Sequence, residues 1–205
     1  MIQMGYIINK YESCGSDLFA WPHLCPTSAS AEIGEKMDLS IVSQKLISNA
    51  ETIRALTEDI PADQARWKPN AGSWSMLEVM HHLYDEEQED FRGHLNDLRQ
   101  NPELPWREIA PQQWVNERQY NQQNFQEIRE KFFQARAESL AWLKDWTPFD
   151  EGAAYSLPWG SLTAGDLLVS WVAHDLLSIR HLTELNYQIF MLAALPHHLK
   201  YAGDW

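Results

Sequence analysis

The sequence predicts an all-α protein: a four-helix bundle with long inter-helix loops and an irregular N-terminal extension. Three observations carry that expectation. Four segments place apolar residues at helical spacing, caps or prolines mark their ends, and no segment alternates as a half-buried strand does. The first helix runs from about Asp38 to Thr57, with Leu39, Val42, Leu46, Ile53 and Leu56 on one face and Pro61 just beyond. After the turn residues Pro69-Asn70-Ala71-Gly72, the second starts at Ser75, whose N3 partner Glu78 completes a capping box. Its stripe is Leu77, Met80, Tyr84, Phe91, Leu95 and Leu98, and Pro102 and Pro105 follow its end. A loop over 102–115 leads to a third helix expected from about Val115 to Trp146, with Phe125, Ile128, Phe132, Ala135 and Trp142 inward. A second loop spans Glu151 to Gly160. The fourth helix then begins at Thr163, with Asp166 as its N3 partner, and runs to about Ala194 before Pro196. Either long loop could cross the end of the bundle, so up-down order is not implied.

Composition narrows the possible functions. The 205 residues are 44% hydrophobic, enough for one domain with a substantial core. Most of the ten tryptophans, Trp67, Trp74 and Trp171 among them, are expected as core anchors. A formal net charge of −13 with no basic cluster argues against nucleic-acid binding. No apolar run reaches the roughly 18 residues of a membrane span.

Residues 1–36 read as an irregular extension and 37–205 as the bundle. The extension carries both cysteines, Cys14 and Cys25, so neither a disulfide nor a thiolate is expected in the bundle; this fits a cytoplasmic setting. Ala29-Ser30-Ala31 has the form of a signal-peptidase site, but Asp17, Pro22 and His23 interrupt the stretch before it. Purine-rich codons for Gly34-Glu35-Lys36 would resemble a ribosome-binding sequence. Met37 is therefore expected as the natural start and residues 1–36 as translated leader, which a tryptic mass map of the native protein would test.

Histidines on two helices are the candidate functional residues, because imidazoles converging from facing helices are how a bundle builds a transition-metal site. On the fourth helix, positions 167, 171, 174, 178, 181 and 185 form one stripe: Leu167, Trp171, His174, Ser178, His181 and Leu185. His174 and His181 lie two turns apart, about 10 Å along the axis, too far to chelate one ion together. Spacing alone favours reading both as hydrogen-bonded polar residues at a bundle seam. On the second helix, angle favours His81 as the inward histidine, while His82 shares a flank with Val79 and Glu86. The acidic run Asp85-Glu86-Glu87 with Glu89-Asp90 reads as a solvated face, although Glu86, one turn after His82, lies within reach of a metal. Asp175, next to His174, could support that histidine from behind or lie on the helix surface, and an isolated Asp is more often at the surface. Serine-hydrolase, phosphate-loop and C-x-x-C motifs are absent.

The block W-x-P-x-x-G-x-W-S-x-x-E-x-x-x-H-L, here Trp67, Pro69, Gly72, Trp74, Ser75, Glu78, His82 and Leu83, resembles the DinB/YfiT-like superfamily. Leu167, Trp171, His174 and Asp175 are similar to that family's last helix, and the likeness covers about Met37 to Tyr187. The resemblance implies a four-helix bundle, often a homodimer, with a divalent metal (zinc or nickel) held by three histidines. Carried over singly, those positions are His82, His174 and Ser178. The first two match and the third does not: the family's H-D-x-x-H-x-x-Q reads here His174-Asp175-Leu176-Leu177-Ser178-Ile179-Arg180-His181. The implied activity is that of a metal-dependent transferase using a low-molecular-weight thiol such as bacillithiol or mycothiol, with an electrophile as second substrate. Serine is a poor zinc ligand. Either His181, after a helix shift, or a carboxylate completes the set, or the site has lapsed and the bundle serves as a small-ligand-binding or oligomerisation module.

Overall fold

The computed structural model describes residues 38–101 and 103–203. The extension with its two cysteines, the expected start at Met37 and the boundary at residue 36 lie outside the described residues.

Helix α1 (Leu39–Thr57) starts where the Asp38 carboxylate accepts a hydrogen bond from the Ser40 amide at 2.8 Å. A short α2 (Ala62–Arg66) lies in the linker. The expected second helix is interrupted: α3 (Met76–Asp85) passes through a π-helical turn (Glu86–Phe91) into α4 (Arg92–Gln100). The expected third helix is also broken. Helix α5 (Pro111–Glu117) begins on Pro111, and Gln119 turns left-handed at φ 50°. A 3₁₀ turn follows over Tyr120–Gln122, and Asn124 caps a new N-terminus, that of α6 (Phe125–Lys144), by accepting from the Gln126 and Glu127 amides. The uniform spacing of apolar residues hid a cap strong enough to restart the helix, one worth about 1 kcal/mol.

The second loop is not irregular. It holds an antiparallel hairpin of β1 (Ala154–Leu157) and β2 (Gly160–Thr163), with Leu157 opposite Gly160 and Pro158-Trp159 as the turn. Gly160 has φ 142°, a conformation that L side chains rarely adopt. Four-residue strands with a single buried side chain, Tyr155, are too short to leave an alternation signal. Thr163 and Asp166 then form the capping box of α7 (Ala164–Ala193). No helix among the described residues is long and apolar enough to cross a membrane.

Two apolar cores fill the bundle. One gathers Leu46, Phe91, Leu95, Leu143, Leu168 and Trp171; the other gathers Ile53, Leu77, Met80, Leu83, Phe132 and Leu182. Chain direction follows from the order in which each helix visits them. Helices α1 and α7 run from the first core to the second, whereas α3–α4 and α6 run from the second to the first. The segment 101–124 therefore crosses back along the bundle between α4 and α6. Trp106 stacks on His94 near the first core, and Asn121 binds Ser75 near the second. The hairpin segment makes no such crossing.

Between the two cores lies a polar layer to which every long helix contributes: Asn49 from α1, His82, Glu86 and Glu87 from α3 and the π turn, Arg136 from α6, and His174, Asp175 and Ser178 from α7. Polar groups taken out of water cost several kcal/mol unless they are paired. The pairing within this layer is what separates scaffold from site.

Candidate metal centre

The N-terminus of α3 is fixed before any histidine is reached. Ser75 Oγ accepts from the Glu78 amide at 3.2 Å, and Glu78 Oε2 accepts from the Ser75 amide at 2.8 Å. Lys68 Nζ donates to the other Glu78 oxygen at 2.6 Å. Trp74 meets the His82 ring edge-on, centroids 4.9 Å apart. The tryptophans, serine and glutamate of the first sequence block thus set the phase of α3 so that His82 faces inward.

His82 is the inward histidine, contrary to the angle argument for His81. The His81 ring stacks on Tyr120 at 4.1 Å, with Nδ1 3.7 Å from Asp85 Oδ2, and stays outside the site. His82 Nε2 instead lies 3.1 Å from His174 Nε2, across 92 residues of sequence. Two imidazole nitrogens bound to one ion at about 2.0–2.1 Å would sit roughly 3.0–3.4 Å apart, so this spacing suits a shared cation. Phe91 lies against His174 at 5.5 Å. Burial lowers the pKa of both rings; for His82 the drop is large, with the charges of His174 and His181 adding to it. Both are thereby kept in the neutral, ligand-competent form. His181 is also lowered, chiefly by burial, but it stands outside the cluster formed by the other two.

The acidic run is not a solvated face. Asp85, Glu86, Glu87 and Asp90 are 3%, 1%, 1% and 6% exposed. The π turn explains the difference: the extra residue per turn brings successive positions inward that a regular helix would send to solvent. Three of the four acids are matched. Asp85 receives the Tyr120 hydroxyl and Arg118 Nη1, the latter at 2.8 Å. Glu87 is gripped by Arg136 at 2.8–3.0 Å and by Trp171 Nε1 at 3.1 Å. Asp90 Oδ1 lies 2.8 Å from His94 Nδ1, and the other ring nitrogen, Nε2, lies 2.8 Å from the Arg107 carbonyl. Glu86 has no hydrogen-bond donor for either oxygen, and His82 Nδ1, 3.6 Å from it, has no hydrogen-bond partner either. Burial pushes the Glu86 carboxyl well above its ordinary range, and the neighbouring acids, Asp90 first, add to the rise.

One donor atom each from His82, Glu86 and His174 lie within 4.8 Å of one another. Ser178 is buried in the same layer. Asp175, expected at the surface, is 1% exposed and takes two hydrogen bonds from Arg136, at 2.8 and 2.9 Å, and one from Asn49 at 3.3 Å. Burial works to discharge Arg136, but the two carboxylates outweigh it and raise its pKa. Arg136 was missing from the sequence expectation. Its signal was present, because 132, 136, 139 and 143 continue the inward spacing of α6 through a charged residue.

The profile of the DinB superfamily matches residues 46–184, which hold every residue of this centre. The chain belongs to the DinB superfamily. Among solved structures it is similar to YfiT from Bacillus subtilis, a probable metal-dependent hydrolase with an unusual four-helix bundle topology. The two share 18% sequence identity at a TM-score of 0.67, over 77% of this chain and 91% of that one. Among curated protein sequences none matches.

Proposed function

We propose that this DinB-superfamily bundle is a divalent-metal-dependent enzyme, with His82 and His174 holding the ion and a low-molecular-weight thiol and an electrophile as its substrates. The observation that carries the metal is the 3.1 Å approach of two imidazole nitrogens, one on the buried His82 and one on the half-buried His174, beside a buried carboxyl that no donor reaches. YfiT, whose fold is similar, is described as a probable metal-dependent hydrolase, which supports this reading. The thiol rests on the family resemblance. A bound cation would supply Lewis acidity, lowering the pKa of a thiol that reached it. The chain's own residues do the rest. Trp74 and Phe91 hold the two rings in place, and the surrounding apolar cores exclude competing water. Replacement of the family's third histidine by Ser178 favours a second reading, a non-catalytic bundle whose centre has lapsed.

Metal content decides between them. Protein expressed without a histidine tag and reconstituted with zinc should retain close to one equivalent by plasma mass spectrometry, and His174→Ala should lose it. Zinc-dependent conjugation of an electrophile to a thiol should follow. A wild-type protein that retains no metal would leave the lapsed bundle as the better account.

A further inference from the structure

Four acids of the segment 85–90 are buried, and the chain provides a positively charged or hydrogen-bonding partner for three of them. The fourth, Glu86, is 1% exposed with both oxygens unpartnered. A buried carboxylate in that state costs several kcal/mol unless a cation meets it. It sits one turn beyond His82, at the first position of a π turn, a feature that recurs at functional sites. One turn beyond His174 the last helix offers the buried hydroxyl of Ser178.

We propose that Glu86 is the third protein ligand of the centre, so that this chain has transferred one metal donor from the last helix to the second. The inference rests on the metal-binding reading above. The donor set becomes two imidazoles and a carboxylate, a combination that suits zinc and also iron(II), and that leaves positions open for an exogenous ligand. The set carries one negative charge more than three neutral histidines would, so it half-neutralises a divalent cation. The 3.6 Å between Glu86 Oε1 and His82 Nδ1 is too long for the hydrogen bond by which an orienting carboxylate would hold that ring.

The test is zinc titration by calorimetry on four tag-free proteins: wild type, Glu86→Gln, Ser178→His and the double variant. Loss of an orienting carboxylate typically weakens metal binding by about 10–100-fold. Loss of a ligand should exceed that range in Glu86→Gln, and Ser178→His should restore binding in the Glu86→Gln background by returning a donor from the last helix. The metal-free Glu86→Gln protein should melt no lower than wild type, since the amide can donate to Asp90 where the carboxylate cannot. Zinc binding by Glu86→Gln within about a hundredfold of wild type is what an orienting carboxylate or an uninvolved one would give, and would overturn the assignment while leaving His82 and His174 in place. A Glu86→Gln protein that fails to fold would assign Glu86 to the scaffold and overturn it equally. No zinc in the wild type would remove both this inference and the metal reading beneath it.

Discussion

Glu86 and Glu87 are chain neighbours, and so are His174 and Asp175, yet the two members of each pair lie in opposite situations. Glu87 and Asp175 converge on Arg136, where all five guanidinium hydrogens find acceptors, the fifth being the Leu46 carbonyl at 3.0 Å. Glu86 and His174 converge with His82 on a place where a carboxyl has no donor and two imidazoles face each other. One half of the polar layer is therefore closed and the other open. Because each open residue is one peptide bond from a closed one, the Arg136 network holds α7 and the π turn in the register that the site needs. The contrast shows how to separate the two kinds of buried charge: the closed half supports the fold, and the open half is where a ligand would complete the pairing.

The largest expected effect comes from emptying the closed half. Arg136→Met leaves Glu87 and Asp175 buried without their cation, and removing one partner of a buried pair costs about 3–5 kcal/mol. Urea denaturation should show at least that loss. Adding Glu87→Gln and Asp175→Asn to Arg136→Met should return most of it, because neutral groups remove the uncompensated charge. A loss below about 1 kcal/mol in Arg136→Met would show that the two halves of the layer do not differ as the geometry says.

A smaller effect should follow from Trp171→Phe, which keeps an aromatic ring against Phe91 but deletes the indole donor to Glu87 Oε2. A hydrogen bond to a charged acceptor contributes roughly 1.5–3 kcal/mol. The lower end is expected, since Arg136 still holds Glu87 through Oε1 and Oε2. The same urea experiment measures it. A cost equal to that of Arg136→Met would mean that Trp171 acts through packing and not through the network.

Much of this arrangement was legible in the sequence. Capping boxes at Ser75 and Thr163, the boundaries of α1 and α7, and the inward stripes that became the two cores follow from local rules that tertiary packing did not override. His82 and His174 were legible through the family pattern, not through angle, which pointed to His81. The burial of the acidic run was not legible. Five acids in six positions have the composition of a solvated face, and only the π turn together with Arg118, Arg136 and His94, from three other places in the chain, brings four of them inside. The break before α6 escaped for a related reason. Periodicity records which residues face the core, and it is silent when a cap stops a helix and restarts it on the same face.

Asp90 stands between the two halves, matched to His94 yet beside Glu86, and its clamp gives the smallest and most specific prediction. His94 is held by the Arg107 carbonyl, by Trp106 stacked at 3.7 Å, and by Tyr155, whose hydroxyl donates to the His94 carbonyl at 2.9 Å. Burial first, and then the charge of Asp97, push the Tyr155 phenol from 10.0 up to about 12, with Arg107 opposing. The folded protein thus keeps a proton that the unfolded chain has released. The stability owed to the neutral phenol is complete below pH 10 and is lost as the pH rises toward 12. Tyr155→Phe should cost about 0.5–1.5 kcal/mol at neutral pH, the worth of one hydrogen bond. It should also lose less stability than wild type between pH 10 and pH 12. Urea midpoints of both proteins at the two ends of that window measure the difference, which is free of the other tyrosines because both chains share them. Parallel alkaline slopes would show that the hairpin end of the bundle opens before Tyr155 ionises, and that the clamp on Asp90 is looser than its distances suggest.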